Sequence, residues 1–230
     1  MKKKVTAVII ARKNSRRIPN KLHKKLNGKS LIEIKISQLL KVNVDEIIVG
    51  SDDLKLNQIC KKFKNKKIKF IKRSSYYCNE KLASANDVIK NMLSYFKTDI
   101  VLWAYPTNPF TTERHYNEAL KIYFQKIKEG YDGLFSVNKC LNYYWGFDKK
   151  PINHNPLEKK HTLLSENKIK PLYSDNGAIF IRDYKKMKKD GRHWSKKGVM
   201  FVMDEREGWD INYPWDLEVC QLKSFNKKKF

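Results

Sequence analysis

Val5-Thr-Ala-Val-Ile-Ile10, followed by Ala11-Arg-Lys-Asn-Ser-Arg-Arg-Ile-Pro-Asn-Lys21, is the stretch from which the fold can be read. The first six residues form an apolar, β-branched run that suits a strand buried on both faces of a parallel sheet. The run stops at Ala11, and a polar, strongly basic loop takes over. In an open α/β sheet, ligands bind outside the carboxyl ends of the strands, so this loop sits where a phosphate-bearing ligand would be held. It lacks the glycines and the Gly-Lys-Ser/Thr ending of a Walker loop. Its grip on phosphate would rest on guanidinium, ammonium and hydroxyl groups, with backbone N–H groups in support. Taken alone, the segment reads equally well as a solvated basic loop after a core strand.

The pattern repeats downstream. Asn27-Gly28 marks a turn, and Ser30 with Glu33 three residues later marks a capped helix start. That helix is expected to end near Val42 and to turn Leu31, Ile34, Leu39 and Leu40 to the core. Glu46–Gly50 reads as a second buried strand delivering Ser51-Asp52-Asp53, followed by a helix over about Leu54–Phe63 and a strand over Ile68–Ile71 that ends at Arg73. A helix opening at Leu82-Ala-Ser-Ala-Asn-Asp is expected to run to about Phe96. Asp99–Ala104 is a fourth strand, leading into Tyr105-Pro-Thr-Asn-Pro-Phe110, where two prolines rule out strand continuation and stiffen the loop. Thr111 or Thr112 caps a helix through Ile127, and Asp132–Val137 is a fifth strand. This rhythm predicts one α/β domain over residues 1–230, with a Rossmann-like, mostly parallel sheet.

Residues 138–171 break the rhythm. They are aromatic and irregular, and an insertion of this size is expected to serve as a lid, a substrate loop or a dimerisation arm. Strand character returns over Leu172–Ile181 after a polar Ser174–Gly177 bend. A basic surface excursion, a strand over Val199–Met203 and a last helix from Pro214 complete the chain.

Composition narrows the function classes. Apolar residues make up 41% and aromatic residues 12%, which excludes a wholly disordered chain. No apolar run approaches the roughly 20 residues of a membrane span. Met1-Lys-Lys-Lys is followed by too short an apolar run for a signal peptide, so the chain is expected in the cytoplasm. Cys60, Cys78, Cys140 and Cys220 are widely spaced and read as reduced thiols. The net charge of +25, from 49 Lys+Arg against 24 Asp+Glu, raises the question of an anionic partner. The lysines are spread along the chain, however, and no aromatic RNA-stacking motif accompanies them, so nucleic acid is not the expected partner. His23, His115, His154, His161 and His193 show no paired spacing and are expected at the surface. Trp145 and its aromatic neighbours are expected in the core or a dimer contact, with an acceptor pocket as the alternative.

Four loops lie where strands end: Arg12–Lys21, Ser51–Asp53, Tyr105–Thr111 and the region of Asp210. Together they offer cationic phosphate ligands, hydroxyl and amide groups, and carboxylates suited to a hard cation such as Mg²⁺. That is equipment for nucleotidyl transfer, in which triphosphate charge is neutralised during an in-line displacement. Asp52 reads equally as a site residue or a helix cap, and Tyr105 as packing or ligand contact.

In these segments the sequence resembles the acylneuraminate (CMP-sialic acid) cytidylyltransferase family. Ala11–Lys21 is similar to its nucleotide loop, and Arg73–Ala85 to its second nucleotide-contacting segment. Tyr105–Phe110 is similar to its Gln-Pro-Thr-Ser-Pro-Leu motif, Asn176-Gly-Ala-Ile-Phe-Ile181 to its Asn-Gly-Ala-Ile-Tyr-Ile strand, and Trp209–Leu217 to its Asp-Ile-Asp metal segment. The resemblance implies a homodimer, Mg²⁺, and transfer of CMP from CTP to the anomeric hydroxyl of a 2-keto sugar acid, with release of pyrophosphate for surface glycan synthesis. It implies that Ala11, Arg12, Ser15, Asn20, Lys21, Arg73 and Ser84 serve the nucleotide. Tyr105, Thr107 and Asn176 would then serve the acidic sugar acceptor, and Asp210 and Asn212 the metal, with Arg12, Lys21 and Asp210 catalytic. The chain departs from the family at Tyr105 (glutamine there), Thr111 (arginine), Asn212 (the second metal carboxylate) and Arg16-Arg17 (often Lys-Gly). Another acceptor, such as 3-deoxy-octulosonic acid or a sugar or polyol phosphate, stays open.

Overall fold

The computed structural model describes residues 2–13, 15–158 and 169–225. Ten positions of the expected insertion (159–168, including His161), Asn14 of the basic loop and the terminal lysine cluster lie outside the described residues.

The chain runs β1 (Val5–Ile10), β2 (Lys25–Leu26), β3 (Lys29–Ser30), α1 (Leu31–Leu39), β4 (Glu46–Ser51), α2 (Leu54–Lys62), β5 (Ile68–Lys72), α3 (Ala85–Met92), β6 (Ile100–Trp103), α4 (Glu113–Lys128), β7 (Gly133–Cys140), β8 (Leu172–Asp183), α5 (Tyr184–Asp190), β9 (Gly198–Met203) and α6 (Pro214–Phe225). Seven strands form one sheet in the order β5-β4-β1-β6-β8-β7-β9. β1 is paired in parallel on both sides, to β4 and β6, which explains its uninterrupted apolar run. Val5, Ala7 and Ile9 face a core shared with α1, α2 and α4. Val8 faces the opposite core, built with α3 and α5. β8 runs antiparallel to both of its neighbours, β6 and β7. Its amino-terminal half therefore lies at the same sheet edge as the carboxyl ends of β1, β4, β5 and β6. That edge gathers the loops singled out from the sequence.

Local chemistry sets most element ends where the sequence places them. The β2–β3 hairpin turns on Asn27 and Gly28, both at positive φ (49° and 79°), as a tight primed turn requires. Ser30 and Glu33 form the expected capping box. The differences have physical causes. α1 stops at Leu39 and buries Leu31, Ile32, Lys35, Ile36 and Leu39, leaving Ile34 and Leu40 only partly covered. α3 ends at Met92 rather than near Phe96, because the Tyr184 hydroxyl lies 2.8 and 2.7 Å from the carbonyls of Leu93 and Phe96 and supplies the donor a further helical turn would have given. The basic excursion after β8 contains the short helix α5, which buries Tyr184 and Met187 and closes on Gly191 at φ 62°. β7 enters the expected insertion as far as Cys140 because β8 supplies pairing partners there. Trp145 and Phe147 are exposed rather than core. All four cysteines are free. Among the described residues, no helix is long and apolar enough to cross a membrane.

One core residue breaks the binary pattern. Lys35 is fully buried on α1, and burial pushes its ammonium down from the ordinary 10.5 to about 7. Between those values the unfolded chain holds a proton that the folded chain lacks, so stability rises with pH. We expect denaturation titrations to show a Lys35 contribution rising from about pH 7 to 10.5 by at most ~1.4 kcal/mol per pH unit. Lys35→Met should flatten that rise; an unchanged slope would contradict the buried neutral amine.

Candidate active site

A cleft of about 320 Å³ opens at the shared sheet edge. The loop after β1 lines it with Ala11, Arg12, Ser15 and Lys21. The segment after β5 contributes Arg73, Tyr77, Cys78, Glu80 and Ala83, and α3 contributes Ala85, Val88 and Ile89. Tyr105, Pro106 and Thr107 after β6, with His193 after α5, line the rest of the wall. Three strand ends thus converge on one cavity, the usual location of ligands in such sheets.

The basic loop is held by specific contacts. Ala11 N–H donates to the Gly50 carbonyl at 2.9 Å, and Lys13 N–H to Asp52 Oδ1 at 2.8 Å. Asp52 therefore braces the loop, while Asp53 caps α2 by accepting from Lys55 N–H. Ile18 anchors the loop's far side in a small core with Leu26, Leu31, Ile211 and Leu217. Lys21 Nζ crosses to the carbonyl of Ile211 at 2.7 Å; burial lowers its pKa, against the opposing field of Asp210. Arg12 and Arg16 both reach Glu80, at 2.7 and 2.8 Å, so one carboxylate from the opposite wall holds two guanidinium groups of the loop. Arg73 is buried and donates to the Tyr77 carbonyl at 2.8 Å. It packs against Gly50, where a Cβ would crowd Arg73 and Met92. Two expected nucleotide residues do not line the cleft: Asn20 is an exposed left-handed turn residue, and the Ser84 hydroxyl caps α3 through Asp87.

The other end of the cleft is aromatic and uncharged. Tyr105 meets Phe180 and His193 edge-on, and burial pushes its hydroxyl up to about 12. His193 stacks on Phe180 at 4.6 Å, and burial together with Arg182 pushes it down to about 3, so the imidazole is neutral. This corrects the surface reading of the histidines for His193 and also for His115. The latter is buried, accepting from Thr112 N–H at 3.0 Å and lying 2.9 Å from Glu207. The remaining pattern is local: His23 lies 2.6 Å from Asp53, and His154 packs on Tyr143 and Trp145.

Beneath the wall, the fully buried Asn108 lies with Nδ2 at 2.9 Å from the Asn176 carbonyl and 3.3 Å from those of Gly208 and Trp209. Asn176 does not face the cleft. Its side chain accepts from Ser136 Oγ at 2.5 Å and Ala178 N–H at 3.1 Å, and donates to Asn138 Oδ1 at 2.8 Å. Gly208 presses on that amide pair, leaving no room for a Cβ. Thr111 is buried and donates to the Glu207 carbonyl at 3.0 Å, so it too points away from the cavity.

Asp210 supplies the chemistry of a cation ligand. Its Oδ2 accepts from Asn212 Nδ2 at 2.6 Å, while Oδ1 is buried without a partner among the described residues. Asn212 Oδ1 accepts from Arg17 at 2.9 Å, so that oxygen is already taken. Asp216 accepts the amides of Asn212 and Tyr213 and is equally committed. Among the described residues no group of three or more His, Cys, Asp or Glu side chains gathers for a metal. Asp210 does not line the cleft itself, but its buried, unpartnered oxygen fits a cation whose other ligands come from a bound phosphate or water.

Glu80, His193, Asn108 and Lys35 are absent from the sequence-derived set. The one available signal is at Asn108, a polar residue between a Pro-Thr and a Pro, where the flanking backbone N–H groups are scarce.

The family model for cytidylyltransferases matches residues 6–189. The N-acylneuraminate cytidylyltransferase of Escherichia coli O18:K1:H7 is 28% identical over 232 positions, covering 96% of this chain and 52% of that protein. N-acylneuraminate cytidylyltransferase A of Danio rerio is also 28% identical, covering 95% and 50%. The chain thus spans about half the length of these curated relatives. Among solved structures, a CMP:2-keto-3-deoxy-manno-octonic acid synthetase complexed with CTP superposes with a TM-score of 0.66 at 16% identity, covering 97% of this chain and 99% of that one. The 4-diphosphocytidyl-2C-methyl-D-erythritol synthase of Anaerococcus prevotii gives 0.65 at 14% identity, covering 96% of both. These two likenesses show the shared fold.

The Glu80 contact makes its own prediction. Glu80→Gln should tighten binding of inorganic tripolyphosphate, measured by calorimetry, by about three- to tenfold, because the carboxylate competes with phosphate for Arg12 and Arg16. Weaker binding in the variant would mean that Glu80 orients the arginines instead.

Proposed function

The chain belongs to the cytidylyltransferase family, and from that premise we propose that it transfers CMP from CTP to the anomeric hydroxyl of a 2-keto sugar acid, a sialic-acid-like nonulosonic acid, releasing pyrophosphate. The observation that carries the proposal is the bond from Lys21 to the Ile211 carbonyl, which ties the cationic loop to the segment bearing Asp210. Lys21, on the cleft wall, is thereby tied to a segment whose Asp210 carries a buried, unpartnered carboxylate oxygen. The names of the curated relatives, and the presence of CTP in a structural neighbour, support the same donor and acceptor class.

In this reading Arg12, Ser15 and Lys21 hold the triphosphate with the Ala11 turn, and Arg73 lies along the nucleotide. Asn20 and Ser84 act indirectly, by turning the chain into Lys21 and by fixing the first turn of α3. The acceptor oxygen attacks the α-phosphorus as the bond to pyrophosphate breaks. Arg12 and Lys21 neutralise the charge that moves onto the leaving group. Tyr105, Thr107 and the neutral His193 form the acceptor wall, and Asn176 fixes its backbone. Asp210, with Asn212 beside it, would hold Mg²⁺, which supplies charge neutralisation at the triphosphate and acidifies a hydroxyl close to it. Trp145, Phe147, Ile152 and Leu157 are exposed apolar side chains on the 138–171 arm, and we assign that arm to a homodimer contact. The reaction belongs in a cytoplasm supplied with CTP, upstream of surface glycan assembly.

A second acceptor class is favoured by one observation. Tyr105, on the cleft wall, stands where the resembled family carries glutamine, and Thr111, turned away from the cleft, where it carries arginine, so an octulosonic acid or a sugar or polyol phosphate belongs in the same assay.

We expect pyrophosphate release from CTP with at least one 2-keto acid in a panel of nonulosonic and octulosonic acids and sugar phosphates. Asp210→Asn should lower turnover by about 100-fold, the loss typical of removing one transition-state charge contact. Silence across the panel, with no CTP binding by calorimetry, would contradict the proposal.

A further inference from the structure

We infer that Lys35, buried on α1 outside the cleft, is a positioning residue that sets the Tyr105–Phe110 loop and, through Asn108, the backbone carrying Asp210. The inference rests on the function proposed above.

Pro106 and Pro109 have no backbone N–H, so this loop has few donors of its own; the Asn108 carbonyl receives one long local bond, from Thr111 N–H at 3.4 Å, and further donors come from outside the loop. Two come from one face of α1. Lys35 Nζ donates to the Asn108 carbonyl at 3.0 Å, and one turn later Gln38 Nε2 donates to the Pro109 carbonyl at 2.7 Å. Residues three apart on a helix share a face, so α1 grips two successive peptide groups at once. The second Lys35 acceptor is the Tyr116 hydroxyl on α4, at 2.6 Å, and the ammonium carbon chain brings Nζ 5.0 Å from that ring's centre.

Burial is what lowers Lys35, and its two hydrogen-bond acceptors among the described residues, a carbonyl and a phenol hydroxyl, are neutral. Two acceptors match the two N–H bonds of a neutral amine. A leucine or methionine would fill the space without the desolvation penalty of an amine. What the amine adds is a direction for the Asn108 peptide.

That direction propagates. With its carbonyl held by Lys35, Asn108 turns Nδ2 to the carbonyls of Asn176, Gly208 and Trp209. The Trp209 carbonyl belongs to the peptide bond that begins Asp210. One residue further, Ile211 N–H donates to the Thr107 carbonyl, and the Ile211 carbonyl accepts from Lys21. Lys35 thus lies behind the relative placement of Thr107 and Asp210. The β1 loop has separate anchors at Gly50 and Asp52, through Ala11 and Lys13, so the backbone on either side of Arg12 is fixed without Lys35.

The test compares wild type, Lys35→Met and Tyr116→Phe in the full chain by three readouts: kcat, CTP affinity by calorimetry, and amide hydrogen exchange. Lys35→Met should lower kcat at least about tenfold while CTP Kd stays within about twofold, since misplacing reacting groups costs turnover rather than donor binding. Exchange at Ile211 N–H should accelerate while that at Ala11 N–H is retained. Tyr116→Phe deletes one acceptor with little change in volume, and should show the same split with a smaller loss, about threefold; it carries the test if Lys35→Met does not fold. Unchanged kcat, a parallel loss of kcat and CTP affinity, or unaltered exchange at Ile211 would overturn the inference. If wild type itself transfers no CMP, the proposed function fails, and exchange at Ile211 decides the positioning role alone.

Discussion

A single buried carboxamide draws this site together. Asn108 Nδ2 lies within reach of three carbonyls from two segments, β8 and the approach to α6, that are far apart in sequence and share no strand pairing. Leaving such a group unpaired in the core costs about 1–3 kcal/mol per bond lost, so the loop after β6 and both partners are constrained to close on one geometry. The antiparallel entry of β8 makes this possible. Its first half reaches the edge where the parallel strands end, and the bulge opposite Phe135 and Val137 turns Asn176 inward among Ser136, Asn138 and Ala178. Without that reversal, Asn176 would leave at the opposite edge of the sheet.

The charge distribution follows the same economy. The +25 excess is spread along the chain on lysines. The cations that matter are those made expensive by burial or shared with one carboxylate. Lys21 is lowered by desolvation beside Asp210, and Arg12 and Arg16 converge on Glu80. The end of the cleft near Tyr105 and His193 is neutral, so the cavity is polarised: cationic where a triphosphate fits, aromatic where the second substrate would lie. A reaction that moves negative charge toward a leaving pyrophosphate is suited by that polarity.

Much of the fold was legible because one principle controlled it. β1 spans Val5–Ile10 in sequence reading and structure alike, since a strand paired on both sides must be apolar throughout. The Asn27-Gly28 turn and the Ser30 cap were equally plain, being set by neighbours within three residues. The failures are tertiary. The end of α3 is decided by the Tyr184 hydroxyl, nearly a hundred residues away, and α5 is too short and too lysine-rich for its two buried residues to announce it. At the site, Ala11, Arg12, Ser15, Lys21, Arg73, Tyr105 and Thr107 were readable as loop residues after strands. Glu80, His193 and Lys35 were not, because their significance lies in what they touch: two guanidinium groups, a phenylalanine ring and a carbonyl between prolines.

The central claim is that the loop after β1 is the triphosphate cradle of a nucleotide-activating site. A crystal structure of the chain with CTP and Mg²⁺ tests it most directly. Phosphate oxygens are expected against Arg12, Ser15 and Lys21, and the metal on Asp210 Oδ1. A nucleotide bound away from this loop, or a metal held without Asp210, would contradict it.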